Sequence, residues 1–430
     1  MQRRLQDPSY PRRGMQIATS EPLANGLPLH RVSLPGTRAV TVLVAFDAGA
    51  RTERPEENGM AHFLEHLVFK GGEVYDDYRK VNATAERLGA VLNAYTSHDL
   101  VAFHITCRAE VVDQAIDLLT DFVGRPRIDG DELERERGVV IQEIARAHDQ
   151  PSVLAEHLID RAAFGDHPLG RPVLGPAEHL RTFSRDAIVA FRGRQWAGAR
   201  GAAVLAGNLE HVPGDDRLAE LFERFPAIEP NGSFEPAPPL QAATLVEPRE
   251  SNQSHLRMSY RPSIDVRDRR QRAALAVYGT LLGGSMGSRL FDEIREQRGL
   301  AYSVYAIQHT FADVPLLQLS AGLESAKCVE AYHRMREIVD ELRTDGPTEE
   351  EVERARSYSA GRMVLAFENT NAVARHAAQM AVVFGTDLDP DAAIAALDEV
   401  TLDDVTEIAR GISEAHSVAC VGPHEAAEFA

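Results

Sequence analysis

The sequence reads as two similar halves joined by a proline-rich stretch. That stretch, FPAIEPNGSFEPAPPLQ from Phe225 to Gln241, has the composition of an exposed linker. On its N-terminal side, Gly89 to Val123 predicts a strand, a turn, a second strand and an amphipathic helix; Gly299 to Leu342 predicts the same order on the other side. Each half continues with an acidic helix and closes with a Ser- or Thr-capped helix and a short strand that ends in glycine.

This repeat predicts an α+β fold with two structurally similar domains, each a mainly antiparallel sheet covered by helices. The chain has 430 residues, which is too many for one ordinary hydrophobic core and agrees with a division into two. We place the N-terminal domain at residues 15–228, the linker at 229–241 and the C-terminal domain at 242–430.

Charge and hydropathy exclude several classes of protein. The net charge of −19 disfavours a nucleic-acid partner, because phosphate binding needs a basic surface. No run approaches eighteen apolar residues, so we expect no membrane span and a soluble, cytoplasmic protein. Cys107, Cys328 and Cys420 are far apart and lack Cys-x-x-Cys spacing. We expect them to be inert core thiols in a reducing compartment.

The stretch NGMAHFLEHLVFKGG places His62, Glu65 and His66 within an otherwise apolar helix. Positions i and i+4 share one face of a helix, so the two imidazoles can converge on a single metal ion. Glu65 projects to the same side and is close enough to take a proton from a metal-bound water. This is the reversed order of the H-E-x-x-H arrangement found in zinc peptidases.

The repeat strengthens the metal interpretation. Aligning FKGG of the first half with LLGG of the second places Ala274, Val277 and Tyr278 opposite the two histidines and the glutamate. A helix at that place in the fold therefore needs no histidine for packing. The polar side chains of the first half are there for chemistry.

A third protein ligand can come from the acidic helix DELERERGVVIQEIARA. Glu136 and Glu143 are seven residues apart, or two turns, and share a face. We expect Val139 and Ile144 to anchor other faces of this helix to the core. The residues alone leave the choice between the two carboxylates open.

His62-Phe-Leu-Glu65-His66, followed after 76 intervening residues by Glu143, resembles the inverzincin peptidases of the pitrilysin, or M16, family. That family includes insulin-degrading enzyme and mitochondrial processing peptidase. The resemblance implies that Glu143 is the third zinc ligand and that Glu136 is the accessory carboxylate two turns earlier. It implies one Zn²⁺ per chain.

The resemblance continues beyond the zinc motif. LNAYTS is similar to the strand along which the family binds its peptide substrate, which makes Asn93, Ala94 and Tyr95 candidate substrate-binding residues. LLGGSMGSRLFDEIREQRGLAYSV resembles the second-half signature of the family. There, by resemblance, Arg295 and Tyr302 help to bind the substrate and stabilise the tetrahedral oxyanion.

Taken as a member of this family, the chain is expected to be a zinc metalloendopeptidase that hydrolyses unfolded peptides or leader and presequence segments inside a closed chamber. Glu65 would act as general base toward a zinc-activated water. Larger single-chain relatives close two units of this size into a clamshell. We therefore expect a homodimer, or a heterodimer with a related chain, in which Arg295 and Tyr302 of one subunit complete the zinc site of the other.

Two other interpretations compete with this one. Some relatives have lost the metal residues and serve as non-catalytic scaffold or assembly subunits, although every ligand is present here. In addition, Gly283 to Gly287 satisfies G-x-S-x-G, the nucleophile pattern of serine hydrolases, with Ser285 as the nucleophile. That pattern must follow a β-strand, whereas the preceding RQRAALAVYGTLL has the composition of a helix.

Overall fold

Each half of the chain forms its own β-sheet. The computed structural model describes residues 14–227, 234–386 and 388–429. The strands of the first sheet are β1 (Gln16–Thr19), β2 (Leu29–Ser33), β3 (Ala39–Phe46), β4 (Val91–Thr96), β5 (Val101–Arg108) and β6 (Gly201–Gly207). The strands of the second sheet are β7 (Thr244–Pro248), β8 (Gln253–Pro262), β9 (Ala301–Thr310), β10 (Pro315–Glu324) and β11 (Ile412–Gly422).

Both sheets are mixed and mainly antiparallel, which confirms the predicted fold class. The strand orders are β1-β2-β6-β3-β5-β4 and β7-β11-β8-β10-β9. In each sheet one pair is parallel, β2 with β6 and β7 with β11, because the last strand of each half returns beside an early one. The hairpin strands β4 and β9 occupy equivalent free edges of the two sheets.

Helices cover the sheets. In the first half they are α1 (Met60–Val68), α2 (Tyr78–Leu88), α3 (Val112–Gly124), α4 (Gly130–Asp149), α5 (Pro151–Phe164), α6 (Ala177–Thr182), α7 (Arg185–Gln195) and α8 (Asp215–Phe222). In the second half they are α9 (Arg269–Gly279), α10 (Cys328–Asp345), α11 (Glu349–Phe367), α12 (Thr370–Gln379), α13 (Pro390–Asp398) and α14 (Leu402–Arg410). Across the described residues, no helix combines the length and apolarity that a membrane crossing requires.

One helix of each half packs on the sheet of the other half. Helix α5 of the first half packs on β8 and β11, where Ile159 meets Ala419. Helix α12 of the second half packs on β3 and β6 of the first sheet. The Thr370 and Thr41 hydroxyls are hydrogen bonded across that contact at 2.8 Å. One face of each sheet is therefore buried by the opposite half.

A buried arginine holds the segments between the two halves. The Arg51 guanidinium lies 2.7 Å from Asp313 Oδ1 and 3.4 Å from Asp99 Oδ1, and it donates to the Glu235 carbonyl oxygen at 2.9 Å. The Arg51 side chain is fully buried. Of the predicted linker 229–241, residues 229–233 lie outside the described residues and the rest forms neither helix nor strand. The domain boundaries stay a prediction.

One predicted anchor of the acidic helix is wrong. Val139 on α4 is 50% exposed, whereas Leu133, Val140 and Ile144 are buried. The buried face follows spacings of three, four and seven residues, and Val139 falls about 100° away from Val140 around the helix axis. The same buried face carries Glu136, which is only 7% exposed.

Candidate metal centre

Helix α1 begins in an unusual way. Gly59, the residue before it, has φ +99° and offers no side-chain cap. The cap comes instead from the buried Glu53, whose Oε1 accepts from Ala61 N at 2.7 Å and whose Oε2 accepts from Gly59 N at 3.0 Å. Asn58 Nδ2 also donates to Oε2, at 3.0 Å. The carboxyl group thus satisfies backbone N–H groups that would otherwise lie buried without partners.

The candidate ligands converge between α1 and α4. Nε2 of His62 lies 3.9 Å from Glu143 Oε2, and Nε2 of His66 lies 3.6 Å from the same oxygen. One ligand atom from each of the three residues lies within 4.8 Å of the other two. The Glu143 side chain is 44% exposed, so the site is open to water and to a substrate.

The protonation state of His62, the first histidine, favours metal binding. Burial, together with the neighbouring His66, lowers the pKa of His62 to about 4. The imidazole is therefore neutral near pH 7 and can offer a lone pair. Nδ1 of His62 is buried without a hydrogen-bond partner among the described residues.

Glu136 orients the second histidine. His66 Nδ1 lies 2.9 Å from Glu136 Oε1, and the other carboxylate oxygen is paired with Lys70. The ion pair with Lys70 keeps Glu136 anionic, so Nδ1 carries the proton and Nε2 is left for the metal. Burial opposes protonation of His66, but Glu136 and the nearby carboxylates outweigh it and raise the pKa of His66. Glu136 is therefore placed to orient the His66 ring.

Glu65 is held apart from the three ligands. Its Oε2 accepts a hydrogen bond from Thr96 Oγ1 at 2.6 Å, at the end of β4. Burial raises the pKa of Glu65, although this hydrogen bond and His66 act in the opposite direction. A carboxylate with a raised pKa beside a metal site has the properties of a general base.

The residues present fit Zn²⁺. Zinc takes imidazole nitrogen and carboxylate oxygen at about 2.0–2.2 Å, which places tetrahedral ligands about 3.3–3.6 Å apart. The two separations to Glu143 are 3.6 and 3.9 Å, so a small contraction closes the site. Catalytic zinc sites keep three protein ligands and one open position, and the donor set matches that pattern.

The predicted substrate strand is the free edge of the first sheet. β4 is hydrogen bonded to β5 alone, and Asn93 is exposed. The Ala94 N–H donates to the Asn93 side-chain Oδ1 at 2.8 Å, so this donor is not used in the β4–β5 ladder. The guanidinium of Arg375, on α12, lies over the Tyr95 ring, 4.0 Å from the ring centroid. Tyr95 borders a cavity of about 880 Å³ between the halves.

Arg295 and Tyr302 lie in the second half, away from these ligands. Arg295 lies in the last turn of a π-helical segment, Phe291–Gln297, and its guanidinium stacks over the Phe291 ring, 4.8 Å from the ring centroid. Tyr302 is the second residue of β9 and is 57% exposed. It lies six residues, or roughly 20 Å of extended strand, from Gln308, which borders the cavity between the halves. None of the contacts described for either residue reaches the first half.

The serine-hydrolase pattern lacks its required context. Ser285 follows the π-helical segment Thr280–Gly284 that extends α9, and not a strand. Its carbonyl oxygen accepts from the Ser288 hydroxyl at 2.6 Å, and no histidine contacts its hydroxyl among the described hydrogen bonds. On α9, Ala274, Val277 and Tyr278 are buried in the core. The second-half counterpart of the zinc helix is thus a packing helix.

Sequence reasoning missed three residues that shape the site, namely Glu53, Lys70 and Thr96. Glu53 lies too far upstream to form a recognisable capping box with α1. Lys70 could have been found through Glu136, because a glutamate on the apolar face of α4 needs a polar partner nearby. Thr96 gave none, since a strand threonine is common on any half-buried sheet.

Comparison with known proteins agrees with this geometry. Residues 31–177 match the family described as insulinase, peptidase family M16, and residues 182–359 match the peptidase M16 inactive domain. An uncharacterized zinc protease of Bacillus subtilis is 30% identical over 402 residues, which cover 93% of this chain and 97% of the relative. One from Streptomyces coelicolor is 31% identical over 409 residues, covering 93% and 88%.

Solved structures show the same fold. The peptidase M16 inactive domain from Pseudomonas fluorescens superposes with a TM-score of 0.88 at 19% identity, covering 95% of this chain and 99% of that one. A protease from Helicobacter pylori superposes with a TM-score of 0.83 at 20% identity, covering 95% and 100%. The chain belongs to peptidase family M16.

Proposed function

We propose that the chain is a zinc-dependent endopeptidase that hydrolyses unfolded peptides or leader and presequence segments. The observation that carries this proposal is the convergence of His62, His66 and Glu143 beside Glu65, a carboxylate that is not one of the three ligands. Three ligands and an adjacent base are the minimum set for hydrolysis at a single zinc ion.

Glu65 would move the protons of the reaction. When bound, Zn²⁺ supplies a Lewis acid that makes water nucleophilic near neutral pH. Oε2 of Glu65 is held by Thr96, which leaves Oε1 to accept the proton of the attacking water. The raised pKa of Glu65 then allows the same oxygen to deliver that proton to the leaving amine.

The substrate would bind as an added strand along β4. The free edge leaves main-chain groups of Asn93 to Thr96 available, and main-chain pairing tolerates many sequences. A substrate carbonyl would replace the Asn93 side chain as the acceptor for the Ala94 N–H. Thr96 lies in the same strand and touches Glu65, so a peptide in this register passes beside the base.

We further propose that Arg295 and Tyr302 act in trans within a homodimer that encloses a chamber. Tyr302 is exposed, and all contacts described for it lie within the second half. A tyrosine hydroxyl aimed at the oxyanion is worth a few kcal/mol of barrier, but only if it reaches the zinc site. A two-fold symmetric pair of chains supplies this reach at both sites.

The first test compares cleavage of an unstructured basic peptide by wild type and by Glu65→Gln, with zinc content measured on both. Loss of a general base is expected to lower kcat by about 10²–10⁴-fold while bound zinc stays unchanged. Glu86→Gln, an exposed change on α2, is the matched control. A folded chain that binds no zinc would support the scaffold interpretation instead, whereas bound zinc without cleavage would point to a missing partner chain or a narrower substrate.

The trans arrangement is tested by mixing. Glu65→Gln and Tyr302→Phe chains, each inactive alone, are unfolded together and refolded to exchange subunits. If the pair is shared across a symmetric dimer, half of the dimers are mixed and each has one intact site, so about a quarter of wild-type activity returns. No recovery in a preparation shown to contain mixed dimers would exclude sharing.

A further inference from the structure

A second group of metal-binding side chains lies in the second half. Cys328 is the first residue of α10, Cys420 lies in β11 and His424 follows that strand. All three are buried, and one ligand atom from each lies within 4.8 Å of the other two. The group shares no residue with the His62, His66 and Glu143 site.

The two sulfur atoms are separated as ligands of one ion would be. Their Sγ atoms lie 4.0 Å apart. A tetrahedral zinc ion with Zn–S bonds of about 2.3 Å places two thiolates about 3.8 Å apart. A disulfide needs about 2.05 Å, so the observed separation is that of two unbonded sulfurs that a single ion can bridge.

A directional chain of hydrogen bonds holds the histidine. Ser325 Oγ donates to the Ser251 carbonyl oxygen at 2.9 Å, and Ser254 Oγ donates to Ser325 Oγ at 2.9 Å. The Ser254 hydroxyl proton is therefore used, and its oxygen accepts from His424 Nε2 at 2.9 Å. The proton of a neutral His424 ring lies on Nε2 and the lone pair on Nδ1. Metal-binding histidines are typically fixed in this way.

The lone pair on Nδ1 faces another acceptor. Nδ1 of His424 lies 3.4 Å from Glu428 Oε2. A proton on Nδ1 accounts for this contact, and a metal ion bound by Nδ1 would take the place of that proton. Glu428 Oε2 also accepts from Glu425 N at 2.8 Å. The adjacent sulfurs of Cys328 and Cys420 are the ligands that a thiophilic metal prefers.

We propose that Cys328, Cys420 and His424 bind a second Zn²⁺ or similar thiophilic divalent ion. Binding deprotonates both thiols and displaces any proton on Nδ1, so the bound imidazole is neutral. All three side chains are buried, so the site is closed to substrate, as structural zinc sites are. The ion would tie α10, β11 and the C-terminal segment together, and the chain would carry two ions.

Cobalt distinguishes this site from the first one. Zinc is removed from the full-length chain with a chelator, Co²⁺ alone is added, and absorbance is recorded. Thiolate bound to Co²⁺ gives a near-ultraviolet charge-transfer band that a site of two histidines and a glutamate cannot give. Wild type is expected to bind two Co²⁺ per chain and show the band. His62→Ala is expected to bind one and keep the band.

Variants of the cluster complete the test. Cys420→Ser is expected to bind one Co²⁺ and lose the band, and His424→Gln to bind the second ion at least tenfold more weakly. Cys107→Ser, a buried cysteine outside the cluster, should behave as wild type. One Co²⁺ without the band in wild type would overturn the proposal. So would a band that survives Cys420→Ser. If both cluster variants misfold, the spectra of wild type and His62→Ala decide.

Discussion

Glu53 is expected to stabilise the start of α1, the helix that carries His62 and His66. Its carboxyl group accepts from Gly59 N, Ala61 N and Asn58 Nδ2, and the residue is only 4% exposed. Replacing it by alanine leaves the two backbone N–H groups without these acceptors. Asn58 Nδ2 keeps a second acceptor, the Pro172 carbonyl oxygen, at 3.0 Å.

The size of the effect follows from counting these donors. A buried donor left without a partner costs about 1–3 kcal/mol, so Glu53→Ala should destabilise the start of α1 by about 2–6 kcal/mol. Glu53→Gln keeps one oxygen, which can still accept from Gly59 N, but it turns an amide NH₂ toward Ala61 N. The glutamine variant should therefore lose about 1–3 kcal/mol.

Hydrogen exchange over residues 59–68, followed by mass spectrometry, measures this effect locally. Each 1.4 kcal/mol is tenfold in an equilibrium, so Glu53→Ala should exchange at least about 30-fold faster and Glu53→Gln about 5- to 150-fold faster. Glu56→Ala, an exposed change in the same loop, should have no effect. Unchanged protection in Glu53→Ala would refute the assignment of this carboxyl group as the cap of α1.

Three further outcomes are expected. Glu136→Gln should weaken zinc binding by about 10–100-fold in a chelator competition, because the ligand imidazole loses its anionic partner, whereas the exposed Glu134→Gln should not. Arg51→Met should lower the free energy of unfolding by about 3–5 kcal/mol, measured with urea, because two carboxylates lose their buried partner. Burial lowers the pKa of His98 to about 4, below its value of about 6.5 in the unfolded chain. The contribution of the neutral imidazole to the free energy of unfolding is therefore full above pH 6.5 and is lost as the pH falls from 6.5 to 4. Wild type should therefore lose up to about 3 kcal/mol more than His98→Gln over that range, measured by urea unfolding at both pH values.

The local parts of the site could be predicted from the sequence. His62, Glu65 and His66 share a face through helix geometry alone, and the seven-residue spacing of Glu136 and Glu143 does the same on α4. In the described structure His62, His66 and Glu143 each have a ligand atom within 4.8 Å of the other two. The two sheets with edge hairpins also followed from strand and turn patterns repeated in both halves.

Contacts between distant segments could not be predicted in this way. An apolar helix face predicts that the helix packs on another element, but it does not predict which sheet that is. The sequence therefore did not show that α5 and α12 each pack on the sheet of the opposite half. Cys328 and Cys420 are 92 positions apart and carry no spacing motif, yet they meet at 4.0 Å. The error at Val139 arose because a pair of adjacent valines fits two helix faces, and only tertiary packing chooses between them.

The second half affects the geometry of the metal site through α5, although it supplies none of the three candidate ligands. Helix α4, which carries Glu143, ends at Asp149, and α5 begins two residues later at Pro151. α5 is packed on the second sheet, so the C-terminal end of α4 is anchored by the opposite half. His62 and His66 are anchored by the first sheet through α1. The separation between the imidazoles and the Glu143 carboxylate therefore depends on how the two halves are docked. A first half expressed without the second would leave α5 uncovered and α4 held only by its packing on the first-half core through Val140 and Ile144, and we expect it to bind zinc more weakly even where α1 stays folded.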